Sequence, residues 1–572
     1  MRDAKYFTQP VAKWQRRYEA LRASFVDHLP DAIVAERYGF SLGYLRVLRH
    51  QFRQEKIDFS EPIADGNRSR RRITAATRQK IIQWRQHDLS AGDIAQLLNQ
   101  EAVDISVRTI ERILAEEGFK KLPRRTQLKI GRTIKGAEVP NIATPVTLDQ
   151  LEGQRFNSAG AGVFLFAPFV AQLNLDAVVK EAGLPENKKI SAINYFLSIL
   201  ALKLLGTERY AHIGEHAFDP GPGLFAGLNV LPKCTALSTY SYSLDADHLR
   251  RLQEAFVRRL LRLGVSTGSI INLDFHTIPH FGSESVLEEH WAGARSKVMK
   301  GALTLLAQDA DSRLMLFSAA DIQRSEADDQ ILAFLSFWQN IKKPMASTFI
   351  FDSKLTSYEN LSALNQQNIR FITLRRRGHK LVAEAEKLTS WQRITIPHDK
   401  RKYPHPAVHE DTIELRGYDG EVRQLIVRGN GREKPAFLIT NDFETPVELL
   451  VGNYARRWRV EQGIAEAVKF FHLNALSSPI LIKVHFDVIM TMIADTLYCR
   501  LAQQLRGFEE CDAPKIFRNF VKGGGTIGIR NGSISVKFSK RAHNPVLRSV
   551  AWPNLPQQLP WLGGANLSLQ FS

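Results

Sequence analysis

Three acidic residues, far apart in the 572-residue chain, stand where a carboxylate is costly or conspicuous. Asp274 follows Ile270-Ile271-Asn272-Leu273 inside an apolar run, and an ionised group buried there is expensive unless it binds or pairs with a cation. Asp352 closes the run Thr348-Phe349-Ile350-Phe351, and the carboxyl ends of strands in open α/β sheets are where ligands gather. With Ser353 and helical sequence after it, Asp352 reads equally as a turn or N-cap aspartate. Glu461 lies in NYARRWRVEQGIAEAVKFF. At about 100° per residue, Tyr454, Arg457 and Glu461 share one narrow helix face. That face is either part of an active site or an amphipathic surface with an i,i+4 Arg457–Glu461 pair.

Residues of these types suit phosphodiester cleavage and transfer, which use two hard cations about 3.5–4 Å apart to activate one oxygen and stabilise another. Mg²⁺ (or Mn²⁺) requires oxygen ligands, and carboxylates from separate elements supply them. The expected catalytic and metal-binding set is Asp274, Asp352 and Glu461 with two ions. Arg457 would grip a phosphate bidentately and Tyr454 would orient backbone oxygens or a water.

Such a set needs a sheet to carry it. Residues 269–278, 301–310, 313–322 and 347–352 are strand-like apolar runs, a helix follows the fourth, and residues 369–378 make a fifth strand. Three strands in a meander followed by helix-linked strands is the order of a ribonuclease-H-like α/β sheet. Residues 379–447 then read as a β-rich insertion, with a hairpin turning at Asp419-Gly420, before the helix that bears Glu461. Residues 136–268 read as a helical scaffold or dimerisation region. Residues 448–480 complete the catalytic core, and residues 481–572 read as helices ending in a hairpin at Asn531-Gly532.

The front of the chain is different. Lys and Arg outnumber Asp and Glu by 77 to 59, a net charge of +18, and residues 1–135 hold +11 of it. A surplus of this size favours a polyanionic partner. Two trihelical patterns, residues 1–62 and 66–135, have helix-turn-helix spacing. In the first, Arg46, Arg49 and Arg53 lie on the exposed face of the last helix. In the second, Ser90 and Asp93 form a capping box, and Ile94, Ala95, Leu98, Ile110, Ile113 and Leu114 make the core. Arg108, Thr109 and Arg112 then face outward on a recognition helix. Arg70, Arg71 and Arg72 in the linker, with Lys120 and Lys121 after the second unit, extend the basic surface. An ordinary helical bundle with solvated arginines is the bland alternative, and two tandem units holding most of the net charge favour DNA.

The combination of Asp274, Asp352, a β insertion and Tyr454-x-x-Arg457-x-x-x-Glu461 resembles the insertion-sequence transposases of the DDE class with a Tyr-Arg-Glu-Lys signature. The family's closing lysine lies seven residues after the glutamate. Position 468 here is Val, and Lys469 is the nearest candidate for that phosphate contact. The resemblance implies a multidomain protein with N-terminal all-α helix-turn-helix domains and a ribonuclease-H-like core interrupted by the insertion. It also implies Mg²⁺-dependent nicking at element ends and 3′-hydroxyl attack on target DNA. The partners would be double-stranded transposon ends and target, held in a homodimeric synaptic complex, with no small-molecule substrate and no membrane. A bacterial, nucleoid-associated cytoplasmic setting follows from the same resemblance. A structure-specific nuclease of the same fold and a DNA-binding relative without catalysis are the competing expectations.

Other features are weaker. Cys234, Cys499 and Cys511 have no Cys-x-x-Cys spacing, so neither a zinc site nor a disulfide framework is indicated. The apolar run Ile193–Leu205 is too short for a span and carries Asn194 and Lys203. His276 shares the strand face of Asp274 and either touches the site or packs beside the strand. Arg375, Arg376 and Arg377 end a strand where DNA could pass, and a solvated strand end is the favoured reading. Trp391 and Tyr403 could stack on an unpaired base, although aromatics in β segments are usually core. Asp309, Asp311 and Asp321 fall in turns or at strand ends and are not assigned to the site.

Overall fold

The computed structural model describes residues 7, 10, 13–57, 59, 73–86, 89–101, 103, 105–117, 119, 142–216, 218–282, 287–293, 296–341, 347–396, 403–431, 433–475 and 480–572. The chain forms two compact units, Met1–Glu138 and Val139–Ser572.

The first unit is helical. Helices α1 (Lys13–Phe25), α2 (Asp31–Tyr38) and α3 (Leu42–Arg53) close over Ala20, Ala23, Val34, Ala35, Tyr38 and Leu45. The turn between α2 and α3 depends on Gly39, whose φ of 66° is a left-handed helix cap that glycine adopts without strain. Ser41 then caps α3 by accepting the Tyr44 N–H. Helices α4 (Ala75–Gln86), α5 (Ala91–Gln100) and α6 (Val107–Glu116) repeat the layout. The Ser90–Asp93 capping box is formed in both directions, and the six apolar residues expected in the core are buried together with Ile81.

The second unit is built on a large mixed sheet and a smaller one. The elements used below are β1 (Arg155–Ser158), α7 (Ala192–Leu204), α8 (Ala246–Arg262), β2 (Ile270–Pro279), β3 (Glu289–Ala292), β4 (Lys297–Asp309), β5 (Met315–Ile322), α9 (Gln330–Ile341), β6 (Thr348–Ile350), α10 (Tyr358–Gln366), β7 (Arg370–Leu374), β8 (Gln392–Arg393), β9 (Ala407–Glu414), β10 (Glu421–Arg428), β11 (Ala436–Thr440), α11 (Val447–Arg456), α12 (Trp458–Phe470), α13 (Leu481–Ala502), β12 (Gly525–Arg530), β13 (Ser533–Phe538), β14 (Gln558–Leu559) and β15 (Ala565–Phe571). In the large sheet β4 lies between β5 and β2 and is antiparallel to both, and β6 and β7 follow parallel to β2. The insertion does not form a body of its own. Its strand β11 pairs antiparallel with β7, so β11, β10, β9 and β8 prolong the same sheet. The connection from β9 to β10 is also longer than a two-residue turn, since the paired residues end at Glu414 and resume at Glu421.

Strand alternation distributes the sheet between two helical layers. Ile271, Leu273, Leu305, Ala307, Phe349 and Phe371 belong to a core that includes Phe256 of α8, Phe334 and Trp338 of α9, and Leu361 and Leu364 of α10. On the opposite face Ile278, Ala302 and Leu306 pack with Val460 and Ile464 of α12 and with Val484, Val488 and Met492 of α13. Further along that face, Ile350 and Ile372 meet Val447, Leu450 and Val451 of α11.

Residues 136–268, expected to be mostly helical, also supply a short strand, and the C-terminal hairpin belongs to a larger sheet. Strand β1 from the first segment pairs with β12, and β15 adds in parallel to β13, giving a five-stranded sheet in the order β1-β12-β13-β15-β14. Local patterning reveals the β12–β13 hairpin, whose Asn531 and Gly532 both have positive φ, but not a partner some 370 residues away. No single helix among the described residues is long and apolar enough to cross a membrane, and the apolar helix α7 is buried along nearly its whole length.

Candidate active site

Register brings the first two acids together. Strands β2 and β6 run parallel with Asn272 opposite Ile350. Two residues further along each chain, Asp274 and Asp352 come side by side on the same face, at the carboxyl end of β6. Asp352 is in extended conformation and also caps the turn after it, accepting the Lys354 N–H at 2.9 Å. Asp352 thus stands at the end of a strand and also serves as the turn-capping aspartate.

The third acid arrives from above the sheet. Helices α11 and α12 are joined at Arg457, which breaks the helix for one residue while keeping the i,i+4 relation with Glu461. Gly463 lets α12 sit close, because a Cβ there would lie 2.8 Å from Gln308 Nε2 and 2.9 Å from Met315 Cε. The Arg457 guanidinium bridges the two elements, donating to Asp274 Oδ2 at 2.7 Å and to Glu461 Oε1 at 2.7 Å. It also lies over the Tyr454 ring, 5.9 Å from the centroid.

The electrostatics are out of balance. Burial pushes the Asp274 carboxyl up to about 6; Arg457 opposes this, whereas Asp352 and Glu461 push it further up. Burial also works against the Arg457 charge, but Asp274, Tyr454 and Glu461 outweigh it and hold the guanidinium above its ordinary range. Two carboxylates therefore share one guanidinium, while a third, Asp352, adds its charge beside Asp274. Asp274 is only 12% exposed and Glu461 55%, so the cluster has a buried floor and an open side.

The donor set fits hard divalent cations in kind: three carboxylates, an excess of negative charge, and the fully buried Asn272 one pleat away, whose side-chain amide has no protein hydrogen-bond partner. Its spacing does not yet match. Among the described residues no three His, Cys, Asp or Glu side chains stand close enough to hold one ion, and the guanidinium lies where a cation would neutralise Asp274 and Glu461.

Other expected residues fall in different places. His276 is on the Asp274 face and largely buried, with Nε2 2.8 Å from Asn474 Oδ1, and burial lowers its pKa. Lys469 is exposed and acts electrostatically on Glu466, not on Asp274, because its eight-residue offset carries it about 12 Å along α12 from Glu461. Its expected place beside the acids is not formed in this structure. Arg376 reaches the edge of the site, donating to the Ser353 carbonyl at 3.2 Å, whereas Arg375 and Arg377 bond Gln424 and the Pro435 carbonyl. Trp391 packs beneath Arg428, 3.8 Å from ring centroid to guanidinium, while Tyr403 is exposed and lies against Gly431. Asn272, with Thr304 and Gln308 across β4, was not foreseen; a polar residue in each of three buried strand positions was the available signal.

In the N-terminal unit Arg46 and Arg108 are exposed and make no ion pair with a described carboxylate. Arg49 is corrected: it pairs with Asp31 and lies 5.2 Å over Phe25, so it holds α3 to its neighbours. Arg53, although exposed, covers the same ring at 5.3 Å. Thr109 is half-buried, its hydroxyl 2.9 Å from Ser106 at the start of α6, and exposed Arg112 is 3.8 Å from Glu116. Arg70, Arg71, Arg72, Lys120 and Lys121 lie outside the described residues.

Neither a scan against protein-family models nor a search of curated proteins finds a match to this chain.

Proposed function

We propose that the chain is a DNA transposase of the DDE class, acting on double-stranded transposon ends and joining them to target DNA. The observation that carries this reading is the register of β2 on β6, which sets Asp274 beside Asp352 on a face where Glu461 joins them and negative charge exceeds its counter-charge. The strand order, with a three-stranded antiparallel meander followed by two parallel strands, agrees with a ribonuclease-H-like core. Asp274, Asp352 and Glu461 would hold two Mg²⁺ (or Mn²⁺) ions, which when bound supply Lewis-acid stabilisation of the attacking and leaving oxygens.

The chain's own groups have separable roles. Arg457 pairs with Asp274 and Glu461 until the site is loaded, and is then free to take a phosphate oxygen through its fork of donors. Tyr454 steers that guanidinium by its ring. Asn272 and Gln308 form a polar floor behind Asp274. In the joining step the element's 3′ oxygen forms a bond to a target phosphorus, the target P–O3′ bond breaks, and the attacking hydroxyl's proton passes to solvent. The N-terminal trihelical units would select the ends, with Arg46 and Arg108 as exposed cations that pair with no described carboxylate, in a homodimeric synaptic complex.

The test is incubation of the purified chain with Mg²⁺, a labelled element end and plasmid DNA. Joined product supports a transposase. Nicking without joining assigns a structure-specific nuclease, and duplex binding with neither reaction assigns a binding protein.

A further inference from the structure

We propose that the outward face of the β1-β12-β13-β15-β14 sheet is a second duplex-DNA surface, one that grips the sugar-phosphate backbone independently of the N-terminal units. This rests on the reading of the chain as a DNA-acting protein and adds a contact which that reading does not require.

The pairing defines the face. Arg155 lies opposite Gly528, Thr526 opposite Lys537, Arg530 opposite Ser533, and Ser535 opposite Ser568, all on one side of the sheet. The alternate residues Ile527, Ile529, Ile534, Val536 and Leu567 are buried on the other side. A solvated antiparallel sheet face is ordinarily polar, and mixes both signs of charge. This one does not. Every outward strand position is Ser, Thr, Asn, Gln, Gly, Arg or Lys, with neither an acid nor an apolar side chain among them. Arg155, Arg530 and Lys537 are exposed, and none makes an ion pair with a described carboxylate.

Geometry favours an extended polyanion over a small anion. Arg530 and the position opposite Lys537 are four residues apart along β12, about 13 Å at 3.3 Å per residue, with Arg155 level with the midpoint, so the cations are spread along the sheet and not clustered at one point. They can contact separate phosphates of a duplex, whose charges on one strand recur about every 3.4 Å along the helix axis. Between them lie short side chains, Thr526, Gly528 and Ser535, which leave the middle of the platform low, with hydroxyls to meet phosphate oxygens. Contacts to phosphate and sugar carry no sequence information, so a surface that grips the backbone would bind without sequence preference, as target or flanking DNA requires.

The test compares the full-length chain with R155Q/R530Q/K537Q on a duplex that lacks element ends, measuring affinity across a salt series. Loss of three phosphate contacts should flatten the slope of log affinity against log salt by about 2–3 and weaken binding at least tenfold at moderate salt. The melting temperature should stay near that of the starting protein, as all three side chains are exposed. If the triple variant does not fold, R155Q and R530Q alone should each flatten the slope by about 0.9. An unchanged slope and affinity overturns the surface but leaves the catalytic reading intact. A loss confined to RNA or to anionic vesicles, with duplex binding unchanged, also overturns it. No duplex binding by the unaltered chain, with or without ends, removes both readings together.

Discussion

Two buried aspartates on neighbouring strands of one sheet have opposite surroundings. Asp309, at the end of β4, is fully buried and accepts four hydrogen bonds: from Ser266 Oγ at 2.6 Å, Gly268 N at 2.7 Å, Ser312 N at 2.8 Å and Asp311 N at 2.9 Å. Burial raises its pKa, but those donors overcome the penalty and leave it below the ordinary carboxylate value. Asp274 on β2 has one guanidinium and the Phe275 N–H, and it faces two further acids. What separates a structural carboxylate from a candidate ligand here is the supply of donors, not burial. Asp309 is saturated and tethers a turn; Asp274 keeps unmet capacity for positive charge.

Substitution of the acids gives the sharpest contrast. Asp274→Ala or Asp352→Ala should lower Mg²⁺-dependent nicking and joining by about three orders of magnitude or more while end binding persists, as read on labelled duplex. Asp309→Asn, per folded molecule, should retain nicking within several-fold. Equal losses in both would erase the distinction.

Stability should move the other way. Asp309→Ala orphans four donors and should cost about 3 kcal/mol or more in denaturant unfolding. Asp274→Asn at pH 8 should cost nothing or stabilise, because it removes an under-compensated buried charge.

The pH dependence follows from the signs of the two shifts. A carboxyl raised in the folded state favours folding when protonated, so the Asp274 contribution is present below about pH 4 and is lost as pH rises through about 6. The depressed Asp309 contributes above the ordinary carboxylate pKa and loses that contribution as pH falls through its folded value. Relative to Asp274→Asn, the parent should therefore lose of order 2 kcal/mol between pH 4 and pH 7, and Mg²⁺ should restore part of it in the parent alone. Melting curves at both pH values, with and without Mg²⁺, decide this.

The smallest effect concerns the distance between α12 and the sheet. Gly463→Ala forces the flexible ends of Gln308 and Met315 to move aside, which should cost about 1 kcal/mol and slow nicking a few-fold without changing end binding. A change in binding instead would place Gly463 in a DNA contact.

Much of this was legible along the chain. Period-two apolar runs located β2, β4, β5, β6 and β7, and the Ser90–Asp93 box and the Asn531-Gly532 turn marked their elements because both are local. Long-range pairings were not legible: β1 with β12, β15 with β13, and β11 with β7 each join segments whose own patterns fit several partners. Arg49 was misread for the same reason, since nothing near it in sequence announces the Phe25 ring or Asp31.

For the site itself, residue order determined which acids are available and that Arg457 and Glu461 share a helix face, because helical spacing follows from position alone. Only the tertiary structure decided that β2 lies on β6 with Asn272 against Ile350, and that Asp274 and Glu461 meet on one guanidinium with the charge of Asp352 beside them. Charge balance depends on which groups meet in space and how much water they lose, and neither is a property of a single stretch of chain.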